Sequence, residues 1–76
     1  METRVKQIMS DVFFVKLEEI NENTSPLTLE QWDSIGQLNL ATSLEEEYNI
    51  VFTDQDISEM LNFKLVIAIL NDVLKR

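Results

Sequence analysis

Apolar residues recur along this chain with a helical period and not with the alternation of strands. Val5, Ile8, Met9 and Val12 follow the i, i+3, i+4, i+7 spacing of one buried stripe and predict a first helix over about Thr3 to Phe14. Arg4, Lys6, Gln7, Ser10 and Asp11 lie largely off that stripe. Phe13 and Phe14 widen the apolar surface at its end, where no glycine marks a stop. Lys16 to Asp33 reads as a long connection, because Glu18, Glu19, Asn21, Glu22, Asn23, Thr24, Ser25 and Pro26 are turn and solvent formers. Val15, Leu17, Ile20, Leu27, Leu29 and Trp32 are scattered through it as expected anchors to the core. Thr28-Leu29-Glu30-Gln31 fits a single capped turn inside it. A loop this long in a small domain points to function.

A second helix is predicted from Ser34 to Tyr48. With about 100° of rotation per residue, Leu40, Ala41, Leu44 and Tyr48 fall on one side and Ile35, Leu38 and Thr42 on the opposite side. One stripe can face the core; the other then faces outward, bordered by Asn39, Glu45 and Glu46. An apolar strip beside carboxylates has the character of a docking surface for a basic partner. A helix buried on both sides, or a solvated face with scattered apolar residues, satisfies the same spacing. Asn49 to Thr53 is a short link with Ile50 and Phe52 turned inward. Thr53-Asp54-Gln55-Asp56 resembles a capping box with Asp in place of Glu and opens a short third helix, about Asp54 to Leu61, with Ile57, Met60 and Leu61 on its apolar side. Asn62 is a natural N-cap for a fourth helix, about Phe63 to Leu74. There Val66, Ile69, Leu70 and Val73 repeat at helical spacing, and Phe63, Leu65, Ile67 and Leu74 broaden the face, as in a helix central to the core.

These elements make an all-α fold: a four-helix bundle of three longer helices and one short one, with a long loop between the first two. The chain has 76 residues, which suits one domain over 1–76, and no internal repeat is visible. The Phe13, Phe14, Phe52 and Phe63 rings can fill the core or line a pocket in it.

Charge and composition narrow the function. There are 14 Asp and Glu against 6 Lys and Arg, a net charge of −8. That field repels nucleic acid and anionic lipid and steers toward basic partners. The chain has neither Cys nor His, which removes the usual zinc ligands and the commonest general base. No apolar run reaches the roughly 18 residues needed to span a membrane. Met1-Glu2-Thr3-Arg4 leads into an amphipathic stretch and not a signal peptide, so the expected location is cytoplasmic, and the expected state is a monomer.

Three motifs invite chemistry. Asp54-Gln55-Asp56 does not make an EF-hand, since Glu59 falls where glycine is needed and Leu65 where a bidentate Glu is needed; acids at a helix N-terminus account for it better. Glu45-Glu46-Glu47 reads as a solvated helix face. Ser34 is open to two readings. Ser34-Ile35-Gly36-Gln37 fits a capping box, with Asp33 an equally good cap. A serine at a helix N-terminus is also exposed, and a phosphate attached there would face free backbone N–H groups and the positive end of the helix dipole. A hydrolase with Ser34 as nucleophile is opposed by the absence of His and of a Gly-x-Ser-x-Gly elbow. An unmodified helical interaction module, using the outer stripe of the second helix, is the rival from another class.

The wider sequence resembles the acyl carrier protein family. Asp33-Ser34-Ile35 looks like the family's Asp-Ser-Leu modification motif, and Leu38 through Leu44-Glu45-Glu46-Glu47-Tyr48 is similar to its second helix. Arg4-Val5-Lys6 resembles its first helix, and Phe52 through Leu70 its third and fourth. The resemblance implies a non-enzymatic carrier of acyl thioesters. Ser34 would bear a 4'-phosphopantetheine arm transferred from coenzyme A, and Asp33 would be read by the phosphopantetheinyl transferase. Ile35, Leu38, Asn39, Thr42, Glu45 and Glu46 would form the surface for acyl-transferring or acyl-activating enzymes with basic docking faces. The cofactor brings the sulfur, so the chain needs no cysteine. The chain departs from the fatty-acid members at Gly36 and Asn39, where they usually carry acids. Glycine after the motif is similar to carriers of peptide and specialised pathways, which implies a specialised acyl carrier or an aminoacyl or peptidyl one. In the second helix Gly36 also costs about 1 kcal/mol relative to alanine.

Overall fold

The computed structural model describes residues 1–76. Its elements are α1 (Glu2–Phe13), a 3-10 turn (Leu17–Glu19), α2 (Ser34–Tyr48), α3 (Asp54–Ser58) and α4 (Phe63–Leu74). No strand is present, and the architecture is the expected helical bundle with a long connection from α1 to α2. No helix is long and apolar enough to cross a membrane.

One hydrophobic cluster joins the long helices. α1 contributes Val5, Ile8, Met9 and Phe13, α2 contributes Leu40, Ala41 and Leu44, and α4 contributes Phe63, Val66, Leu70 and Val73. The buried row of α1 runs along the i, i+4 ridge through Val5, Met9 and Phe13, so Val12, expected in the stripe, lies at its edge. Leu65 and Leu74 of α4 are likewise exposed.

α1 stops without glycine. Phe14 adopts the left-handed conformation (φ 56°, ψ 46°) and its N–H bonds to the Ser10 carbonyl, which also accepts Val15 N–H at 3.2 Å. That conformation turns the Phe14 ring outward, 91% exposed, against the expectation that it joins the apolar surface of the helix end. Asn49 closes α2 in the same way at φ 54°, where a short polar side chain tolerates the left-handed region better.

The long connection is pinned by fewer anchors than its sequence offers. Ile20 and Trp32 are buried, and Val15 and Leu29 pack against the core edge. Leu17 and Leu27 are not anchors: they are 44% and 97% exposed. For Leu27 the reason lies in a turn over Ser25–Thr28; a second turn follows over Glu30 and Gln31, closed by Trp32 N–H on the Leu29 carbonyl (3.0 Å) and not capped by Thr28. Ser25 N–H donates to Thr28 Oγ1 (3.0 Å), and Leu29 N–H donates to the Ser25 carbonyl (2.9 Å). Leu27 therefore rides the crest of the turn. Thr24, which reads as a solvent-facing turn former, is buried. Its hydroxyl accepts Asn21 N–H (2.9 Å) and its carbonyl accepts Phe63 N–H at the start of α4 (2.8 Å), tying the loop to the bundle.

α3 is shorter than the spacing predicts. It opens with the expected box, Thr53 Oγ1 accepting Asp56 N–H (3.1 Å) and Asp56 Oδ2 accepting Thr53 N–H (2.9 Å). It leaves helical register after Ser58, so Met60 is buried while Leu61, expected on the apolar side, is 60% exposed. α4 starts as expected, with Asn62 Oδ1 accepting Leu65 N–H at 2.8 Å.

The Asp56 carboxylate does more than cap. Both its oxygens accept from the Arg76 guanidinium, at 2.9 and 3.1 Å, joining α3 to the residues beyond α4. The Arg76 bonds, with help from Thr53 N–H, hold the Asp56 carboxyl down at about 2. A depressed carboxyl stabilises the fold above its unfolded value, and that contribution is lost as pH falls through the folded value. The melting temperature of the native chain should therefore exceed that of Asp56→Asn by a constant margin down to about pH 4, where an unfolded Asp begins to protonate. The margin should then shrink to nothing as pH approaches about 2. Thermal melts of both proteins across that range check it.

Candidate functional site

The start of α2 is built by residues with separate duties. Asp33, in extended conformation (φ −94°, ψ −168°), is the N-cap: its Oδ1 accepts Gly36 N–H at 2.8 Å, and its carbonyl accepts Gln37 N–H at 2.8 Å. Ser34 is therefore the first helical residue and not the cap, and Gln37 does not reach back to close a box, as the Ser34-x-x-Gln37 pattern suggested. Ser34 is exposed, and its hydroxyl has no duty in holding the helix. The Ser34 and Ile35 N–H groups find no backbone acceptor, leaving donors directed toward the approach to Ser34, where the helix dipole is positive.

Gly36 allows the loop to lie against the helix. A Cβ at this position would come within 2.3 Å of the Gln31 carbonyl oxygen and 3.0 Å of Phe13 Cε1. The glycine that reads from sequence as a weak helix former is thus the residue that admits close backbone approach.

Trp32, next to Asp33, is fully buried and stacks on Phe13 with ring centroids 5.5 Å apart. Its indole N–H donates to Gln37 Oε1. The Gln37 Nε2 in turn donates to the Ile57 carbonyl (2.5 Å) and the Met60 carbonyl (3.3 Å) at the far end of α3. Sequence reasoning placed Gln37 in a capping box and missed this bridge, which has no local signature because its partners lie 20 and 23 residues away. Pro26, Trp32, Asp33, Ser34 and Gln37 together line an open groove of about 450 Å³ beside the Ser34 hydroxyl.

The outward face of α2 continues from this point. Ile35 and Leu38 are 72% and 57% exposed, and Asn39, Thr42 and Glu46 are exposed beside them. The Glu45-Glu46-Glu47 run is not uniformly solvated. Glu45 is half-buried, its Oε2 accepting Phe52 N–H at 2.7 Å from the link to α3. Glu47 pairs with Arg4 of α1 at 2.7 Å, and that guanidinium, through its hydrogen bond, holds the Glu47 carboxyl below its usual range. Glu46 forms no ion pair and faces a second groove with Arg4, Asp11 and Ser43. The structure thus brings Asp33, Ser34, Ile35, Leu38, Asn39, Thr42 and Glu46 onto one accessible end and face of α2, and turns Glu45 toward the link.

No family model matches the sequence. Among curated proteins, the chain is similar to the acyl carrier protein of Buchnera aphidicola subsp. Schizaphis graminum, with 29% identity over 76 residues, covering all of this chain and 96% of that protein. Among solved structures, its fold matches the solution structure of a holo acyl carrier protein from Geobacter metallireducens, with a TM-score of 0.86 and 25% identity over 99% of this chain and 86% of that one. In sequence over its full length and in fold, with an exposed serine after the Asp33 cap, the chain is thus similar to acyl carrier proteins.

Proposed function

We propose that the 76 residues act as one carrier domain that holds acyl intermediates on a 4'-phosphopantetheine arm at Ser34. The observation that carries this reading is the position of Ser34: first in α2, exposed, and relieved of capping by Asp33. The surroundings suit a phosphodiester. The free Ser34 and Ile35 N–H groups can donate to phosphate oxygens, and the groove beside the hydroxyl gives an arm a path along Pro26, Trp32 and Gln37. The arm, when present, supplies the thiol that this cysteine-free chain lacks and carries the acyl group as a thioester. The chain's own residues hold the hydroxyl at the end of a rigid helix and present it to a transferase.

Asp33 is proposed to act twice, as the cap of α2 and as the carboxylate read by the phosphopantetheinyl transferase. Ile35, Leu38, Asn39, Thr42 and Glu46 are proposed as the docking face for acyl-transferring or acyl-activating enzymes with basic surfaces, with Glu45 contributing at its edge. Net charge −8 supports basic partners. The cytoplasm, where coenzyme A and such enzymes meet, is the proposed location. A specialised acyl pathway fits the lack of acids early in α2; Asn39 carries that inference, because Gly36 is accounted for by its contact with Gln31.

The test is to incubate the unmodified protein with coenzyme A and a broad-specificity phosphopantetheinyl transferase, then record an intact mass and map the modified peptide. One phosphopantetheinyl group on Ser34 is the expected result. An unchanged mass, with folded protein and a control carrier that loads under a panel of transferases, would overturn the reading in favour of an unmodified interaction module.

A further inference from the structure

We propose that Gln37 is a positioning residue that couples the attachment segment Trp32-Asp33-Ser34 to α3 through a single side-chain amide. On the oxygen side it holds the Trp32 indole; on the nitrogen side it holds the Ile57 and Met60 carbonyls. The orientation of the amide is fixed by chemistry. An indole N–H only donates and a carbonyl only accepts, so a flipped amide would break the contacts on both sides.

Each end of the bridge matters for a different reason. α3 has five residues, too few to persist by itself, and its carbonyls beyond the last turn lack helical partners. Its first turn is held by the Thr53–Asp56 box and by Arg76; its last turn takes the Gln37 amide as a side-chain partner. At the other end, Trp32 is locked on Phe13 and directly precedes the cap of α2. Gln37 itself lies in the first turn of α2 and lines the groove beside Ser34. A shift of the α3 end therefore pulls on the amide, the amide pulls on Trp32, and Asp33 and Ser34 follow. This gives the carrier a way to feel at Ser34 a displacement of α3, including one produced by a group attached there. That consequence rests on the attachment reading, whereas the coupling itself belongs to the unmodified protein.

Native-state hydrogen exchange on the unmodified chain tests it. Trp32→Phe keeps a ring on Phe13 but removes the indole donor, and residue 32 does not itself bond to α3. Coupling predicts that the Glu59 and Met60 amides of this variant exchange about fivefold faster than in the native chain, the effect of one hydrogen bond, with α1 and α4 unchanged. Unchanged α3 exchange, or a uniform rise in all helices, overturns the proposal. Should Trp32→Phe not fold, Gln37→Met decides. Coupling requires faster exchange both at Met60 N–H and at Gly36 N–H, which bonds to Asp33. Faster exchange at Met60 alone would reduce Gln37 to a cap for α3 and overturn the proposal. Gln37→Glu adds a spectroscopic readout, since the chain has one tryptophan: a carboxylate keeps the indole bond but cannot donate to α3. Its α3 amides should exchange faster while Trp32 emission departs from native less than in Gln37→Met. Equal emission in the two variants counts against coupling. All of these measurements are made without loading, so they can fail while Ser34 loads normally, and the reverse.

Discussion

Ser34→Ala is expected to take up no phosphopantetheine while keeping the native helical content and melting behaviour. Both halves follow from the division of labour at the start of α2. The hydroxyl is the acceptor in the proposed transfer, so its removal leaves nothing to modify. The fold does not depend on it, because the cap is Asp33 Oδ1 on Gly36 N–H, and an exposed substitution away from a cap or core contact changes stability by only about 0.5 kcal/mol or less. Asp33→Ala is the useful contrast. It should cost about 1 kcal/mol through loss of the cap, so its effect on loading has to be compared at a temperature where both proteins are folded. Intact mass after transferase treatment and thermal melts of the three proteins separate these cases. A Ser34→Ala protein that still gains the arm would place the attachment elsewhere.

The second large effect concerns Gly36, and its sign distinguishes local propensity from tertiary packing. Taken as an isolated helix position, Gly36→Ala should stabilise the protein by about 1 kcal/mol. In the fold, the new methyl would stand 2.3 Å from the Gln31 carbonyl oxygen and 3.0 Å from Phe13 Cε1. The first of these is backbone and cannot swing aside, so the loop before Trp32 has to move. Overpacking of this kind typically costs about 1–3 kcal/mol. The net result expected is destabilisation by about 1–2 kcal/mol, seen as a melting temperature lower by roughly 4–8 °C per kcal/mol in a domain of this size. Slower loading should accompany it, because the displaced segment leads directly into Asp33 and Ser34. A rise in melting temperature would mean that the loop yields freely and that Gly36 has no packing role.

The two variants show where residue-level reading is sufficient. Asp33, Ser34, the outer stripe of Ile35 and Leu38, and the caps Thr53 and Asn62 are local matters. A cap needs a partner within three residues, and a stripe needs only the helical period. The boundaries of α2 and α4 follow from those signals and agree with the structure. Where two local solutions compete, the sequence leaves the choice open. Asp33 and Ser34 are both good caps, and it is the extended backbone at Asp33 that awards the duty to one and frees the other.

What only the tertiary structure decided are the relations between distant segments. The loop's anchors could not be ranked by hydrophobicity, since Leu27 is as apolar as Leu29; the turn begun by Ser25 lifts one and seats the other. Phe14 is exposed because the end of α1 needs a residue in the left-handed region, a requirement invisible in its side chain. Glu45 leaves the solvated face because Phe52 N–H comes to meet it, and Glu47, still exposed, is paired by Arg4 of α1. Gln37 is the extreme case: its partners lie in the loop and beyond α3, and no spacing rule connects them. The helical period and capping chemistry act over a few residues, so the sequence by itself determined an acidic, cysteine-free helical bundle with a serine at the head of its second helix. How the loop and α3 close around that serine depends on backbone contacts that exist only once the chain has packed.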